Sequence, residues 1–309
     1  MAQPPIELTG MVLVPGGEFV MGSTAFYPEE QPVHACVVED FWIDTHPVTN
    51  AAFADFVAET GYVTKGERPL DPADYPDALP ELLHPGGLVF DQPERRVPLD
   101  DFTQWWAYVP GASWRTPRGP GSGLAGLDDH PVVQVAYEDA EAFASWRGVR
   151  LPSEAEWERA ARGGLESAAY SWGDEPYPDG RQMANTWQGE FPWQNLVLDG
   201  YESTSPVGSF PANGYGLFDM TGNVWEWTTD WWQDRHRAVH ACCGPTVDRH
   251  TGVGSAAAGE AIGRKVIKGG SHLCAPNYCL RFRPAARQPQ AVDTSTCHIG
   301  FRCAATVQT

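Results

Sequence analysis

Glycine and proline interrupt this chain so often that its composition argues against long helices. Its 309 residues include 32 Gly and 27 Pro, and both residue types are unfavourable inside helices. Each of the 13 Trp side chains can bury a large apolar area and so anchor a segment that lacks regular structure. Because 42% of the residues are apolar and only 20% are charged, the chain is expected to be globular. These features favour a loop-rich fold held by aromatic anchors.

Helix signals occur in three windows. Apolar residues recur at helical spacing between Asn50 and Gly61, which predicts a first helix there. A second helix is predicted over residues 138–147, after a strand-like run at 132–135. The third, over residues 154–162, opens with a Ser-x-x-Glu capping box and stops at a Gly-Gly pair.

The rest of the chain is predicted to form short strands, turns and ordered loops. Residues 11–21, MVLVPGGEFVM, indicate two strands around a Pro-Gly-Gly turn, and residues 41–44 indicate another strand. Residues 63–129 are rich in Pro, Gly and Asp and are predicted to be loops held by tryptophans. No helix signal follows residue 165. Together these patterns predict a single α+β domain with unusually little regular structure.

The acidic charge restricts the partners. A formal net charge of −19 argues against a nucleic acid or an anionic membrane, since both need a basic face. No apolar stretch approaches the length needed to span a bilayer. The first ten residues, MAQPPIELTG, lack the basic and apolar parts of a secretory signal. We therefore expect a cytoplasmic protein.

Cysteine usage points towards metal or catalytic roles. Seven cysteines, at positions 36, 242, 243, 274, 279, 297 and 303, make an odd number in a chain without a secretory signal, which weakens a disulfide scaffold. Four residues separate Cys274 from Cys279. Neither a regular helix nor a strand brings side chains at that spacing together, and Pro276 disfavours a helix. Convergence of the two sulfurs therefore requires a specially folded loop.

Two convergent thiols are compatible with a disulfide, a redox dithiol or a soft-metal site. Thiolates favour Cu(I) and Zn²⁺. Zinc usually has four ligands, and Cys297 and Cys303 do not complete a usual zinc spacing, whereas Cu(I) accepts two sulfurs in near-linear coordination with room for a third. From the spacing alone, a functional pair, a structural disulfide and two inert buried thiols all remain open.

Longer motifs make the chain resemble the formylglycine-generating enzymes, also called sulfatase-modifying factors, and especially their actinobacterial members. The most specific motifs are NTWQGEFP (185–192) and KGGSHLCAPNYCLRFRPAAR (268–287). The motifs PANGYGLFDMTGNVWEW (211–227) and GFRC (300–303) belong to a broader superfamily and indicate the fold only.

The resemblance implies one domain of the sulfatase-modifying-factor fold, which is C-type-lectin-like, over residues 11–305, with tails at 1–10 and 306–309. It also implies an activity, the oxidation by O2 of a cysteine in a Cys-x-Pro-x-Arg motif to Cα-formylglycine, with Cu(I) as cofactor. The implied partner is an unfolded or nascent sulfatase polypeptide, and the enzyme itself is expected to be a monomer. Cys274 and Cys279 would hold Cu(I), with the substrate thiolate as a third ligand.

Other roles follow from the resemblance position by position. Ser271 matches a serine that donates a hydrogen bond near the oxygen pocket, and Tyr278 and Trp225 match aromatic residues that line this pocket. Ser271 could equally be a turn residue, and a Trp in GNVWEW is often a core anchor. Two structural Ca²⁺ sites are also implied, one formed by Asn185, Thr186, Asp199 and Tyr201, the other by Asp219, Gly222, Val224 and Glu226.

The chain departs from the family pattern in three places. Ala144 and Ala161 stand where secreted members have helix cysteines, which leaves the last cysteine without a partner and agrees with a reducing cytosol. His298 stands where many members have Asn, in a run expected near the substrate groove, where peptide preference could differ. The adjacent Cys242 and Cys243 have no explanation from the sequence.

Three other functions share some of these features. The main alternative is a non-catalytic binding protein or paralogue of the superfamily, but such members lack the cysteine pair. An iron-dependent C–S bond-forming enzyme needs an H-x3-H-x-E motif, and the sequence contains none. A thiol-disulfide oxidoreductase is disfavoured because C-x4-C lies outside a βαβ unit.

Overall fold

Regular structure is sparse in the computed structural model, which describes residues 8–72, 75, 79, 83–236 and 252–308. The helices there are α1 (Asn50–Thr60), α2 (Tyr137–Trp146) and α3 (Glu154–Arg162). Short 3-10 helices span Pro28–Glu30, Lys65–Glu67, Phe102–Gln104 and Pro178–Gly180. The strands are β1 (Met11–Val14), β2 (Gly17–Met21), β3 (His34–Val38), β4 (Phe41–Asp44), β5 (Gly86–Phe90), β6 (Trp106–Pro110), β7 (Trp225–Trp231), β8 (Arg264–Lys268), β9 (Arg287–Ala291), β10 (Ile299–Gly300) and β11 (Ala304–Thr306).

The three predicted helices are confirmed, and two of them have the expected end signals. The Thr49 side chain accepts a hydrogen bond from the first turn of α1, and Gly61, in the left-handed conformation (φ 68°), ends that helix. Ser153 and Glu156 form the capping box of α3, which ends at Gly163 (φ 57°). The α+β architecture is as predicted, and within the described ranges no helix is long and apolar enough to cross a membrane.

The region between α1 and α2 differs from the prediction in two respects. Residues 63–129 contain an antiparallel hairpin, β5–β6, and not loops alone. Residues 132–135 do not form a strand because Gln134 has a φ of 59°, which is outside the extended region. The Gln134 side chain instead donates hydrogen bonds to the carbonyls of Leu88 and Pro117, which attaches the hairpin to this turn.

The segment that carries the cysteine pair lies between two strands that pair with each other. One antiparallel sheet has the strand order β1-β4-β11, and a second has the order β10-β7-β8-β9, with β10 parallel to β7. Strand β8 ends at Lys268 and β9 begins at Arg287, and these two residues are paired. Residues 269–286, here called the cysteine loop, therefore connect the ends of two neighbouring strands of the same sheet.

Buried aromatic side chains fill three clusters in the described structure. The largest packs α1 and α2 against β7 and includes both Cys274 and Cys279. A second packs α3 against β1, β2 and β4. The third lies beside the cysteine loop and includes Trp105, Trp187 and Phe191. Six tryptophans are at most 2% exposed, as expected of loop anchors: Trp105, Trp114, Trp157, Trp187, Trp225 and Trp227.

Candidate active site

The cysteine loop brings Cys274 and Cys279 together, as their spacing requires. One turn closes between Ser271 O and Cys274 N (2.9 Å), and a second between Ala275 O and Cys279 N (2.8 Å). The two sulfurs are 3.2 Å apart, and both cysteines are buried. A disulfide bond is about 2.05 Å long, so the pair is two free thiols.

Gly270 allows the two ends of the cysteine loop to approach each other. Its φ is +72°, and a Cβ at this position would lie 2.9 Å from the backbone N and Cα of Phe282. Only glycine combines a positive φ with so close an approach. The backbone freedom expected of this glycine is therefore used to fold the loop back on itself.

The two sulfurs have different surroundings. Ser271 N donates a hydrogen bond to Cys274 Sγ (3.4 Å), and Arg281 Nη1 donates one to Cys279 Sγ (3.9 Å). A hydrogen bond from Cys274, together with the Arg281 charge, lowers the pKa of the Cys279 thiol. Burial raises the pKa of the Cys274 thiol well above its ordinary value. The pair therefore favours a thiolate at Cys279 hydrogen-bonded to a thiol at Cys274.

The other residues matched to the family's active site lie in the cysteine loop or in the core cluster that contains the pair. Ser271 is fully buried, and its Oγ accepts a hydrogen bond from Leu273 N at 3.2 Å, so it also stabilises the turn. Trp225 is buried in the same cluster as the two cysteines. Tyr278 is 40% exposed and stacks on Phe191 with ring centroids 4.6 Å apart. Tyr278 thus presents an aromatic surface to solvent at the edge of the site.

Sequence reasoning did not single out three further residues of this site, one in the cysteine loop and two that contact it. Arg281 was visible only as part of the R-x-R-x-AAR motif. Glu29 forms an ion pair with Arg281 (2.7 Å) across 252 positions of sequence, and Tyr27 Oη accepts a hydrogen bond from Leu280 N (3.0 Å). No local pattern marks Glu29 or Tyr27, so only the tertiary structure identifies them.

The two thiols fit a soft metal ion as a donor set. Sulfur ligands select ions such as Cu(I), and the pKa of one of the two thiols is already lowered. Their separation of 3.2 Å is less than twice a metal–thiolate bond of about 2.3 Å, so near-linear coordination would require the sulfurs to move apart. Among the described residues, no group of three or more His, Cys, Asp or Glu could share a metal ion.

Two oxygen atoms of the first expected calcium site lie next to the same side chain. Thr186 O and Asp199 Oδ2 both accept a hydrogen bond from Gln188 Nε2, the latter at 2.6 Å, and Asp199 Oδ1 accepts one from Tyr201 N. Asn185 Oδ1 is buried without a hydrogen-bond partner in the described part of the chain, which is costly for an acceptor. Carbonyl, amide and carboxylate oxygens are calcium ligands. As ligands, these oxygen atoms fit Ca²⁺ once the Gln188 side-chain amide rotates so that its nitrogen no longer points at Thr186 O and Asp199 Oδ2.

The second expected calcium site is partly engaged in other contacts. Burial raises the pKa of Asp219, whose Oδ2 accepts a backbone hydrogen bond at 2.7 Å. Glu226 accepts two hydrogen bonds from Arg302 (2.7 and 2.8 Å) and one from Trp157 Nε1 (2.8 Å). A carboxylate offers about four acceptor positions, so Glu226 keeps one for a further ligand. The two backbone carbonyls expected to contribute belong to Gly222 and Val224.

Two histidines near the site have lowered pKa values and carry no charge at neutral pH. Burial lowers the pKa of His272 to about 4 and that of His298 to about 3. His272 Nδ1 lies 2.9 Å from Asn223 O, which agrees with a packing role. His298 lies 4.8 Å from the Trp106 ring and 2.6 Å from Thr296 Oγ1, and its effect on peptide preference stays a prediction. Residues 242 and 243 lie outside the described residues.

Comparisons with known proteins identify the family. Residues 1–307 match the model described as a sulfatase-modifying factor enzyme 1-like domain. A Mycobacterium tuberculosis protein named formylglycine-generating enzyme is 56% identical over 301 residues, which cover 96% of this chain and 98% of that protein. A Mus musculus protein named inactive C-alpha-formylglycine-generating enzyme 2 is 38% identical over 302 residues, 95% of this chain and 85% of that protein.

A solved structure, PvdO from Pseudomonas aeruginosa, has the same fold. Its TM-score is 0.61 at 27% identity, over 96% of this chain and 94% of PvdO. The cysteine loop, the buried aromatic clusters and the matches over nearly the whole length point to one assignment. The chain belongs to the sulfatase-modifying factor family, the formylglycine-generating enzymes, and is similar to their actinobacterial members.

Proposed function

We propose that this protein oxidises a cysteine in a sulfatase polypeptide to Cα-formylglycine, with O2 as oxidant and Cu(I) as cofactor. One observation supports this most directly: two buried thiols lie 3.2 Å apart in a loop built for them, within a chain of this family. The substrate motif proposed is Cys-x-Pro-x-Arg. The cytoplasmic location and the monomeric state stay predictions.

The chain's own residues supply ligands, orientation and a dry environment. Cys279 Sγ and Cys274 Sγ would hold the ion as its two sulfur ligands, Cys279 from the thiol whose pKa is lowered and Cys274 after release of its proton to solvent. Cu(I), when bound, supplies the electron transfer to O2 that side chains alone do not provide. Burial of both cysteines keeps water away from the reacting sulfur of the substrate. The exposed Tyr278 ring offers a contact surface for the polypeptide.

Two Ca²⁺ ions are proposed as structural rather than catalytic components. The first site would use the unpartnered Asn185 Oδ1 with oxygens of Thr186, Asp199 and Tyr201. The second would use Asp219 and the remaining acceptor position of Glu226. Binding of Ca²⁺ to the folded state alone stabilises that state by mass action.

The proposal is tested with Cu(I)-loaded protein and a Cys-x-Pro-x-Arg peptide in air. Mass spectrometry should detect conversion of the thiol to an aldehyde. Cys274→Ala and Cys279→Ala should each abolish conversion because each removes a ligand, whereas Cys303→Ala, which truncates another buried free thiol, should keep it. Cu(I) binding without conversion would favour the non-catalytic alternative, and wild-type conversion by either ligand variant would contradict the two-sulfur site.

A further inference from the structure

A segment near the start of the chain holds the cysteine loop from outside. Residues 26–30, here called the 26–30 segment, provide two carboxylates that pair with arginines of the loop. Glu29 pairs with Arg281 at 2.7 Å, and Glu30 forms a two-pronged ion pair with Arg283. The Arg283 and Glu30 side chains are 1% and 0% exposed. This second pair is a fully buried link between the two segments.

Arg281 differs from Arg283 because it also reaches a sulfur. Its Nη2 donates to Glu29, and its Nη1 donates to Cys279 Sγ at 3.9 Å. Its Cζ lies 3.9 Å from the centre of the Tyr27 ring, a distance typical of a cation–π contact. The guanidinium plane is thus held from two directions by the 26–30 segment, while one of its edges faces the sulfur.

This arrangement matters because an unrestrained arginine has many side-chain conformations. Ordering such a side chain costs conformational entropy. Glu29 and Tyr27 order Arg281 before any ligand arrives, so the donor that faces Cys279 Sγ does not have to be reoriented. In many metal sites, residues that do not contact the metal orient its ligands through hydrogen bonds. Loss of such a residue typically weakens metal binding about 10- to 100-fold.

We propose that Glu29 and Tyr27 are positioning residues that act through Arg281 to hold Cys279 Sγ where it can share a soft metal ion with Cys274. The inference rests on the proposed function, and it adds that the site is assembled from two segments remote in sequence. Arg283 and Glu30 dock the segment but serve a different purpose, since Arg283 contacts Leu280 O and the Phe26 ring and not a sulfur.

The test is a Cu(I) affinity measured by competition with a chromogenic chelator. Glu29→Gln keeps the side-chain size and removes the charge, and it should weaken Cu(I) binding about 10- to 100-fold while the protein stays folded. Glu29→Asp should recover part of the affinity. The matched control is Glu156→Gln, which weakens the ion pair with Arg150 away from the cysteine loop and keeps a capping-box residue. That control should leave the affinity unchanged.

A second variant separates the effect of the Arg281 charge from the effect of its geometry. Arg281→Lys keeps the positive charge but loses the planar fork that joins Glu29 to the sulfur, so it should weaken Cu(I) binding as Glu29→Gln does. Wild-type affinity in either folded variant would overturn the positioning role. Failure of the proposed function would look different: the wild-type protein itself would bind no Cu(I), whatever the variants do.

Discussion

At the scale of single residues, the two cysteines of the pair are chemically unequal. The hydrogen bond from Cys274 and the Arg281 charge lower the pKa of Cys279 to about 7, whereas burial raises that of Cys274. Because the thiolate is the nucleophile, a small alkylating reagent at neutral pH should modify metal-free protein at Cys279 first. Peptide mapping by mass spectrometry measures the order of labelling.

A variant checks the cause of this difference. Cys274→Ala removes the largest contribution that lowers the Cys279 pKa, so labelling at Cys279 should become slower at neutral pH and recover as the pH rises. Preferential labelling of Cys274 in the wild type, or an unchanged rate in the variant, would contradict the assignment of charge within the pair.

His236 makes stability depend on pH. Burial lowers its pKa to about 4 from an ordinary 6.5, so between these values the unfolded chain binds more protons than the folded one. Stability is therefore lost as the pH falls from about 6.5 to about 4, by roughly 3 kcal/mol from this group. Denaturant unfolding at several pH values should reveal the loss in the wild type and a smaller loss in His236→Gln. Equal losses would contradict the prediction.

At the scale of elements, the turn that opens the cysteine loop has no room for a side chain. Gly270→Ala should displace the backbone at Phe282, since the added Cβ would lie 2.9 Å from it, and should weaken Cu(I) binding at least tenfold. Gly216→Ala is the matched control, because its φ of +79° is similar but no atom lies within 4 Å of the added Cβ. It should cost about 1–2 kcal/mol of stability and leave the Cu(I) affinity unchanged.

Element boundaries could be predicted where their causes are local. Thr49, Gly61 and Ser153 act on residues within four positions of themselves, so the sequence reveals them directly. The β5–β6 hairpin could not be predicted, because its pairing spans a long connection that carries no two-residue turn signal. The strand expected at 132–135 failed because Gln134 serves a tertiary contact with the hairpin that local propensity does not encode.

At the scale of the whole molecule, much of the chain is loop, and bound calcium is expected to stabilise these loops by joining them. Removing Ca²⁺ with a chelator should lower the melting temperature. A site saturated at 100 times its Kd contributes about 2.7 kcal/mol, which corresponds to roughly 5 °C in a chain of this size. Differential scanning calorimetry with and without chelator measures the shift.

Ligand variants identify the source of such a shift. Asp199→Ala and Asp219→Ala remove one carboxylate from each proposed site. The double variant should melt at a lower temperature than the wild type and should no longer respond to the chelator. A wild-type melting temperature that is independent of the chelator and of added Ca²⁺ would contradict both sites.

The sequence by itself determined the sparse α+β architecture, the three helices and the family, because these depend on glycine and proline frequency, local caps and continuous motifs. It also singled out Cys274 and Cys279, although their spacing alone left a disulfide open. Only the tertiary structure decided that the sulfurs meet as thiols, that Arg281 faces Cys279, and that Glu29 holds Arg281. The physical reason is that the first two contacts depend on how the cysteine loop folds, whereas the third joins residues 252 positions apart. No local pattern records which distant side chain will neutralise a partly buried charge.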